Sequence, residues 1–289
     1  MSVSDDDSID HLEGLRAQVN TKLIFAETFK TINDFEVINF SEFLDKCDEW
    51  ATTEGTKISS IKITKQALGN SRGRWFEWLV ALGFWKWALS TKMPRFTLAQ
   101  LPNVTSFDSA QLFIPSIQRE IHKFKENLMK SDVTMVTSNP DFVLIRKNPT
   151  DTPLFTDWEA TEVTPELLES ISNYYLNFVD TGNLTDVFGY LAVKSSMRPD
   201  RRLQIAHEGS TYKALSKNIS KTIKIEEYIP YFFAISGKTT ESDRYALKTV
   251  ATHSIAENAK KPIRAVDQVF DVNNYQDLSS ALDELQRMP

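Results

Sequence analysis

The sequence predicts an α/β fold: a central mixed β-sheet flanked by helices, with an N-terminal helical region. Three observations carry that reading. Short apolar runs at Asp141–Ile145, Phe188–Val193 and Tyr228–Ile235 have the length and composition of buried strands. Segments with apolar residues at helical spacing alternate with them, and that alternation is the mark of helices layered on a sheet. Hydrophobic residues make up 41% of the 289 positions and charged residues 25%, so the chain can bury a core of ordinary size.

Taken in order, residues 1–20 read as a mobile arm opening into a helix, and 21–70 as a helical annex of short elements with polar links. Gly69, Asn70, Ser71, Arg72 and Gly73 cluster turn formers and mark a boundary. From Arg74 to Ser90 the pattern is a helix apolar on most faces. Pro94, Pro102 and Asn103 indicate a loop. Ile117, Ile121, Phe124 and Leu128 give an amphipathic helix over Pro115–Met129. The strand from Asp141 to Ile145 ends at Arg146 and Lys147. A helix follows through Leu167, Ile171, Tyr174 and Phe178, then the strand Phe188–Val193, a turn at Arg198–Arg202 and a helix to about Ser216. Leu247–Thr252 reads as a further strand and Leu278–Leu285 as a terminal helix. The organisation expected is one domain over 21–289, with the core at 71–256 and a helical segment at 257–289.

Composition excludes several classes. Cys47 is the sole cysteine, so there is neither a disulfide framework nor a cysteine-based zinc site, and a reducing, cytoplasmic setting fits. The first residues are polar and acidic, unlike a signal peptide. The apolar stretch Trp75–Leu89 is too short for a bilayer and carries Glu77 and Lys86, so no membrane association is expected. A glycine-rich nucleotide loop after a strand is missing, which argues against a methyltransferase. The net charge of −6 argues against a non-specific nucleic-acid binder. Yet Lys194, Arg198, Arg201, Arg202, Lys213, Lys217, Lys221 and Lys224 face only Asp200 and Glu208 between residues 194 and 224. Such a strip is either a solvated helix face or a surface that touches phosphate.

Phosphodiester hydrolysis near neutral pH needs an activated water, a neutralised phosphate and a stabilised leaving oxygen. Two or three carboxylates holding Mg²⁺, with a lysine beside the phosphate, supply these. Asp141 stands at the start of one apolar strand and Lys194 at the end of the next. The position two before the lysine, a carboxylate in the widespread PD-(D/E)xK nuclease pattern, is Ala192. A helix beginning near Pro199 would carry Glu208 about two turns in, where it could reach the place left empty by Ala192. Glu77 lies among Trp75, Phe76, Trp78 and Leu79, where an ionised carboxylate is costly unless paired or metal-bound. Each residue also has an ordinary reading: Asp141 as a turn former, Lys194 as an edge-strand charge, Glu208 as a surface ion-pair partner, Glu77 as part of a core hydrogen-bond network.

Pro199 suits the first turn of a helix, so Arg198, Arg201 and Arg202 crowd its N-terminus, the end where the helix dipole disfavours cations. Arginine can donate twice to guanine and aspartate can accept from cytosine, so two arginines around Asp200 fit a G·C target. A surface Arg–Asp network is the other reading.

These residues together resemble the type II restriction endonucleases of the PD-(D/E)xK superfamily that cut sites with a CCGG core, and most of all the branch that recognises 5′-RCCGGY-3′. The resemblance runs from about Gly73 to Ile255. It is carried by Arg74-Trp75-Phe76-Glu77-Trp78, Thr105-Ser106-Phe107-Asp108, Thr137-Ser138-Asn139-Pro140-Asp141-Phe142, Arg198-Pro199-Asp200-Arg201-Arg202-Leu203-Gln204, Ala206-His207-Glu208-Gly209-Ser210 and Leu247 to Ile255. In that branch the active-site glutamate sits on the helix after the lysine with thirteen residues between them, as Glu208 does after Lys194.

The resemblance implies that Asp141 and Glu208 ligate Mg²⁺, that Lys194 serves the attacking water and that Glu77 supports the metal site. It implies that Arg198 and Arg201 read guanines and Asp200 cytosines in the major groove, with Arg202 on phosphate. It further implies double-stranded DNA as substrate, 5′ overhangs of four nucleotides, a homodimer, and in many relatives a tetramer of two dimers. A cognate DNA methyltransferase is the expected partner in such a system. Two departures stand out: Ala192 replaces a frequent serine, and Lys224 stands where close relatives place a tetramer-contact tryptophan. A repair or junction nuclease on the same fold and a catalytically silent DNA-binding protein are the alternatives.

Overall fold

The computed structural model describes residues 9–12, 16–58, 63–91, 93–135, 139–146, 154–257 and 262–289. Thr137, Ser138, Lys147 and residues 1–8 and 13–15 of the expected arm lie outside them. Two compact units form: residues 1–92, 153–171 and 271–289 in one, and 93–152 and 172–270 in the other.

In the first unit, strands β1 (Ile9–Leu12) and β2 (Arg16–Val19) pair antiparallel, with Ile9 opposite Val19. Helices α1 (Thr21–Lys30), α2 (Phe40–Ile58) and α3 (Lys65–Ser90) follow. Helix α3 runs straight through the boundary expected at Gly69–Gly73. Thr64 caps it by accepting from the Ala67 N–H, and its second half buries Trp75, Phe76, Trp78, Leu79, Phe84 and Trp87. Each glycine costs such a helix about 1 kcal/mol relative to alanine, far less than that burial returns. Phe25, Phe43 and Trp78 meet edge to face, and Phe35 contacts Phe40 and Tyr275.

The second unit is built on a five-stranded sheet. Its strands are β3 (Phe96–Gln100), β4 (Phe142–Arg146), β5 (Val187–Lys194), β6 (Tyr231–Ser236) and β7 (Gln268–Asp271), side by side in that order. The β3–β4 and β4–β5 pairs are antiparallel and β5–β6 is parallel, so the sheet is mixed as expected. Strand β3 was hidden from sequence reading. All five of its residues are buried, which removes the period-two signal, and Pro94 and Pro102 flank it like a loop. Strand β7, four residues long, falls inside the segment expected to be helical.

Helix α4 (Pro115–Met129) has the expected bounds. Helix α5 (Pro165–Asn173) continues into a 3-10 turn over Tyr174–Phe178. Helix α6 (Pro199–Thr222) outlasts its expected end near Ser216; the Ser220 hydroxyl bonds back to the Ser216 carbonyl, so these serines sit inside a helix instead of ending it. The strand expected at Leu247–Thr252 is not formed. Helix α7 (Glu241–Leu247) starts at a capping box of Thr240 and Asp243, and α8 (Thr252–Glu257) begins five residues after α7 ends. Between them only an isolated bridge joins Val250 to Arg264. The terminal helix is α9 (Tyr275–Arg287). Among the described residues no helix is long and apolar enough to cross a membrane.

Helix α6 connects two parallel neighbours and therefore runs back against the strand direction. Its packing is tight at Gly209, where an added Cβ would lie 2.2 Å from the Ala265 carbonyl oxygen and 3.0 Å from the Phe232 ring. A backbone oxygen cannot swing aside as a side chain can. Gly209→Ala should lower stability by roughly 1–3 kcal/mol, read as a shift of the urea midpoint; an unchanged midpoint would contradict the close approach.

Candidate active site

The centre is a carboxylate–ammonium pair at adjoining strand ends. Asp141 immediately precedes β4, and Lys194 is the last residue of β5. The Lys194 Nζ donates to both carboxylate oxygens of Asp141, at 2.9 Å and 2.7 Å. The Val193 backbone N–H donates to Oδ2 at 2.6 Å. Both side chains are mostly enclosed, 11% exposed for Asp141 and 12% for Lys194. A charged pair this sheltered is held only because each charge meets the other and the carboxylate takes an additional backbone donor.

Strand register places Ala192 in the same spot. Phe142 pairs with Leu191, so Asp141 continues the ladder opposite Ala192. Val143 pairs with Tyr190 on the same face, which also carries Lys194. Helix α6 covers this face: the Tyr212 ring lies 4.3 Å from that of Tyr190, and Phe232, paired with Tyr190, lies under Tyr212 as well. One turn back from Tyr212 is Glu208, a shift of about 6 Å. Two residues on from Tyr190 is Ala192, a shift of about 6.6 Å. Helix and strand run in opposite senses, so both shifts point the same way, and Glu208 comes level with Ala192. Its side chain belongs to a residue only 3% exposed, and its Oε1 accepts from the Gln204 amide at 2.8 Å. The helix that covers this face thus carries a buried carboxylate one turn from the Tyr212–Tyr190 contact.

Further contacts fix this helix. Lys213, 1% exposed, donates to the Asp267 carboxylate at 2.6 Å and to the Arg264 carbonyl at 2.7 Å; Asp267 also accepts from the Phe232 N–H. Burial pulls the Lys213 ammonium below its usual pKa while Asp267 opposes the change. Lys213 is therefore no part of a surface cationic strip. Burial likewise pushes the Tyr212 phenol well up, and its hydroxyl bonds Ser109 at 2.8 Å.

The arginine cluster lies at the N-terminus of α6, as expected. Arg198 is the N-cap residue and Pro199 opens the first turn. Arg198 pairs with Asp200 at 3.1 Å, and both side chains are about two-thirds exposed, at 62% and 66%. Arg201 is half-buried and has no carboxylate partner among the described residues. Arg202 is engaged: it pairs with Asp243 of α7 at 3.0 Å. Internal acids thus meet two of the three arginines, and Arg202 ties α6 to α7. Lys224, just past α6, is exposed and takes a left-handed backbone (φ 61°).

Glu77 lies on α3 in the other unit, 15% exposed, and pairs with Arg74 at 3.0 Å. That neighbour supplies the counter-charge its burial demands. Among the described residues no three His, Cys, Asp or Glu side chains gather as a metal-holding group. Sequence reading quoted Gln204 without giving it a role, and passed over Asp243. The Gln204–Glu208 spacing of four on a helix was the available signal for the first.

Hydrogen bonds from the Thr240 backbone hold the Asp243 carboxyl below its usual pKa, with its side-chain hydroxyl and Arg202 acting in the same direction. A depressed carboxylate contributes stability above the unfolded-state value, about 3.9, and loses it as pH falls through the lower folded value. Asp243→Asn should therefore be less stable than the parent at pH 7, with the difference closing in strong acid. Parallel melting curves of the two across pH would show this; a gap that stays constant to the lowest pH would contradict it.

Three comparisons bear on the site. A family model described as Cfr10I/Bse634I restriction endonuclease matches residues 8–287. The type II restriction enzyme Cfr10I of Citrobacter freundii is 31% identical over 278 residues, spanning 94% of this chain and 96% of that protein. A crystal structure of the type IIF restriction endonuclease Bse634I with cognate DNA superposes with a TM-score of 0.85 at 23% identity, over 98% of this chain and 99% of that one. A second Bse634I structure gives 0.84, also at 23% identity, over 98% of each chain. The chain belongs to the Cfr10I/Bse634I restriction endonuclease family and is a type II restriction endonuclease, a site-specific DNA hydrolase.

Proposed function

We propose that this enzyme acts as a homodimer on double-stranded DNA, recognises a palindrome with a CCGG core, 5′-RCCGGY-3′, and cuts after the first base to leave 5′ overhangs of four nucleotides. A two-fold symmetric site calls for a two-fold symmetric protein. The observation that carries the reading is the Asp141–Lys194 pair at 2.7 Å, on a sheet face covered by α6, the helix that bears the buried Glu208. The relatives support DNA as the substrate, since Bse634I has been crystallised with its cognate DNA. The same biology assigns a cognate methyltransferase as partner.

The donor set fits Mg²⁺. Asp141 and Glu208 offer hard carboxylate oxygens, and Mg²⁺ is commonly held by one or two carboxylates together with waters and substrate phosphate oxygens. A cluster of three protein acids is not required. When bound, the ion makes a coordinated water more acidic and screens phosphate charge. The chain's own residues supply the remainder. Lys194 places a fixed positive charge beside the carboxylates, where it can hold the attacking water and offset the negative charge developing on the phosphate oxygens. Asp141 keeps that ammonium in place, and the Val193 N–H holds Asp141. Ala192 leaves room for the helix-borne carboxylate. The N-terminus of α6 presents Arg198, Asp200 and Arg201 to base edges, and the Arg198–Asp200 contact arranges the pair before DNA arrives.

Long unmodified DNA incubated with Mg²⁺ should give discrete fragments whose ends begin at CCGG, and none with EDTA. Preference for branched DNA would indicate a junction nuclease; binding without cleavage would indicate a silent binder. Asp141→Ala should abolish cutting while retaining specific binding in a gel shift with Ca²⁺. Cleavage at the parental rate would remove Asp141 from the centre.

Arg201→Ala should lose about 1–3 kcal/mol of discrimination at one guanine, measured by competition between sites with single base changes. Unaltered selectivity would take Arg201 out of the reading set.

A further inference from the structure

We infer that Gln204 is a positioning residue for the Glu208 carboxylate and thereby sets the enzyme's affinity for its divalent ion. The inference rests on the proposal that Glu208 holds that ion.

Asp200, Gln204, Glu208 and Tyr212 follow one another at intervals of four along α6, so they form a row that drifts slowly around the helix. Exposure falls along the row. Asp200 is two-thirds exposed, Gln204 is still exposed, and Glu208 and Tyr212 are 3% exposed. Gln204 thus stands between the end of the helix that carries the reading arginines and the buried carboxylate. Its Nε2 donates to Glu208 Oε1 at 2.8 Å.

That bond has a definite chemical effect. A buried carboxylate on a flexible two-carbon stem has several rotamers, and an amide N–H fixed on one oxygen selects one of them. The amide is neutral, so it does not compete electrostatically with a divalent ion as a lysine would. Donors that hold a ligating carboxylate in this way typically contribute 10–100-fold to metal affinity or activity. Because Gln204 is exposed and at a good helix position, removing its amide leaves the fold intact. The neighbouring Arg201, three residues back, places this bond within one turn of the reading end, so the same short segment serves recognition and the ion.

The test substitutes Gln204→Met, which preserves length and helix propensity but cannot donate. Two midpoints are measured on cognate DNA: the Ca²⁺ concentration that half-saturates specific complex formation in a gel shift, and the Mg²⁺ concentration that half-saturates cleavage. The inference predicts that both rise by about ten-fold or more, while the cleavage rate at saturating Mg²⁺ and the DNA affinity at saturating Ca²⁺ stay close to the parent's. Midpoints within about two-fold of the parent would overturn it. So would a loss of DNA affinity that saturating Ca²⁺ does not restore, since Gln204 would then be a DNA contact. Glu208→Gln is measured alongside. If Glu208→Gln keeps the parental midpoints, the metal assignment itself fails; if it loses cleavage while Gln204→Met behaves as the parent, only the role of Gln204 fails.

Discussion

The docking of α6 on the β5–β6 face is the constraint on which the site depends. Tyr212 lies on Tyr190, Gly209 lets the Ala265 carbonyl approach the helix, and Lys213 anchors to Asp267 and the Arg264 carbonyl. Each contact is intolerant of a shift. A rotation of α6 by one residue, about 100°, would turn Glu208 away from Ala192 and place a side chain where Gly209 now sits. The buried ammonium of Lys213 would lose its partners, a change of several kcal/mol. Side-chain packing, a backbone contact and an ion pair therefore all select one register for the helix.

That register matters because α6 carries both sets of proposed site residues. Its first turn bears Arg198, Asp200 and Arg201, and its third bears Glu208. An α-helix is stiff over this length, so a displacement of the first turn would be passed on to Glu208 without a hinge. Arg202, paired with Asp243 of the capped helix α7, steadies the first turn from outside. Within the second unit the residues proposed to read bases and the carboxylate proposed to hold the ion stand on one element.

Much of this was legible in the sequence, for physical reasons. Strands β4 and β5 are apolar throughout and bounded by charge, so Asp141 and Lys194 fell at strand ends without ambiguity. Pro199 announced the start of α6, and the spacing from Lys194 to Glu208 carried the family resemblance. The failures have equally definite causes. Glycine and asparagine at 69–73 read as a turn, yet α3 absorbs them because its burial further along outweighs their local cost. Leu247–Thr252 has β-branched composition, but Thr240 and Asp243 nucleate a helix that runs into it. The run of cations along α6 looked like one surface; pairing partners distant in sequence, Asp267 for Lys213 and Glu227 for Lys217, break it up. No one-dimensional pattern could reveal those partners; Arg74, by contrast, stands three residues before Glu77 on α3, a helical spacing that already offered the counter-charge.

The central claim is that a carboxylate from α6 fills the place beside Ala192. The most direct measurement is the position of the divalent ion in a crystal of the protein bound to cognate DNA with Ca²⁺. The account predicts an ion coordinated by both Asp141 and Glu208, with Ala192 beneath it and Lys194 next to the scissile phosphate. An ion held by Asp141 without Glu208, or a Glu208 side chain directed away from the strand ends, would contradict it.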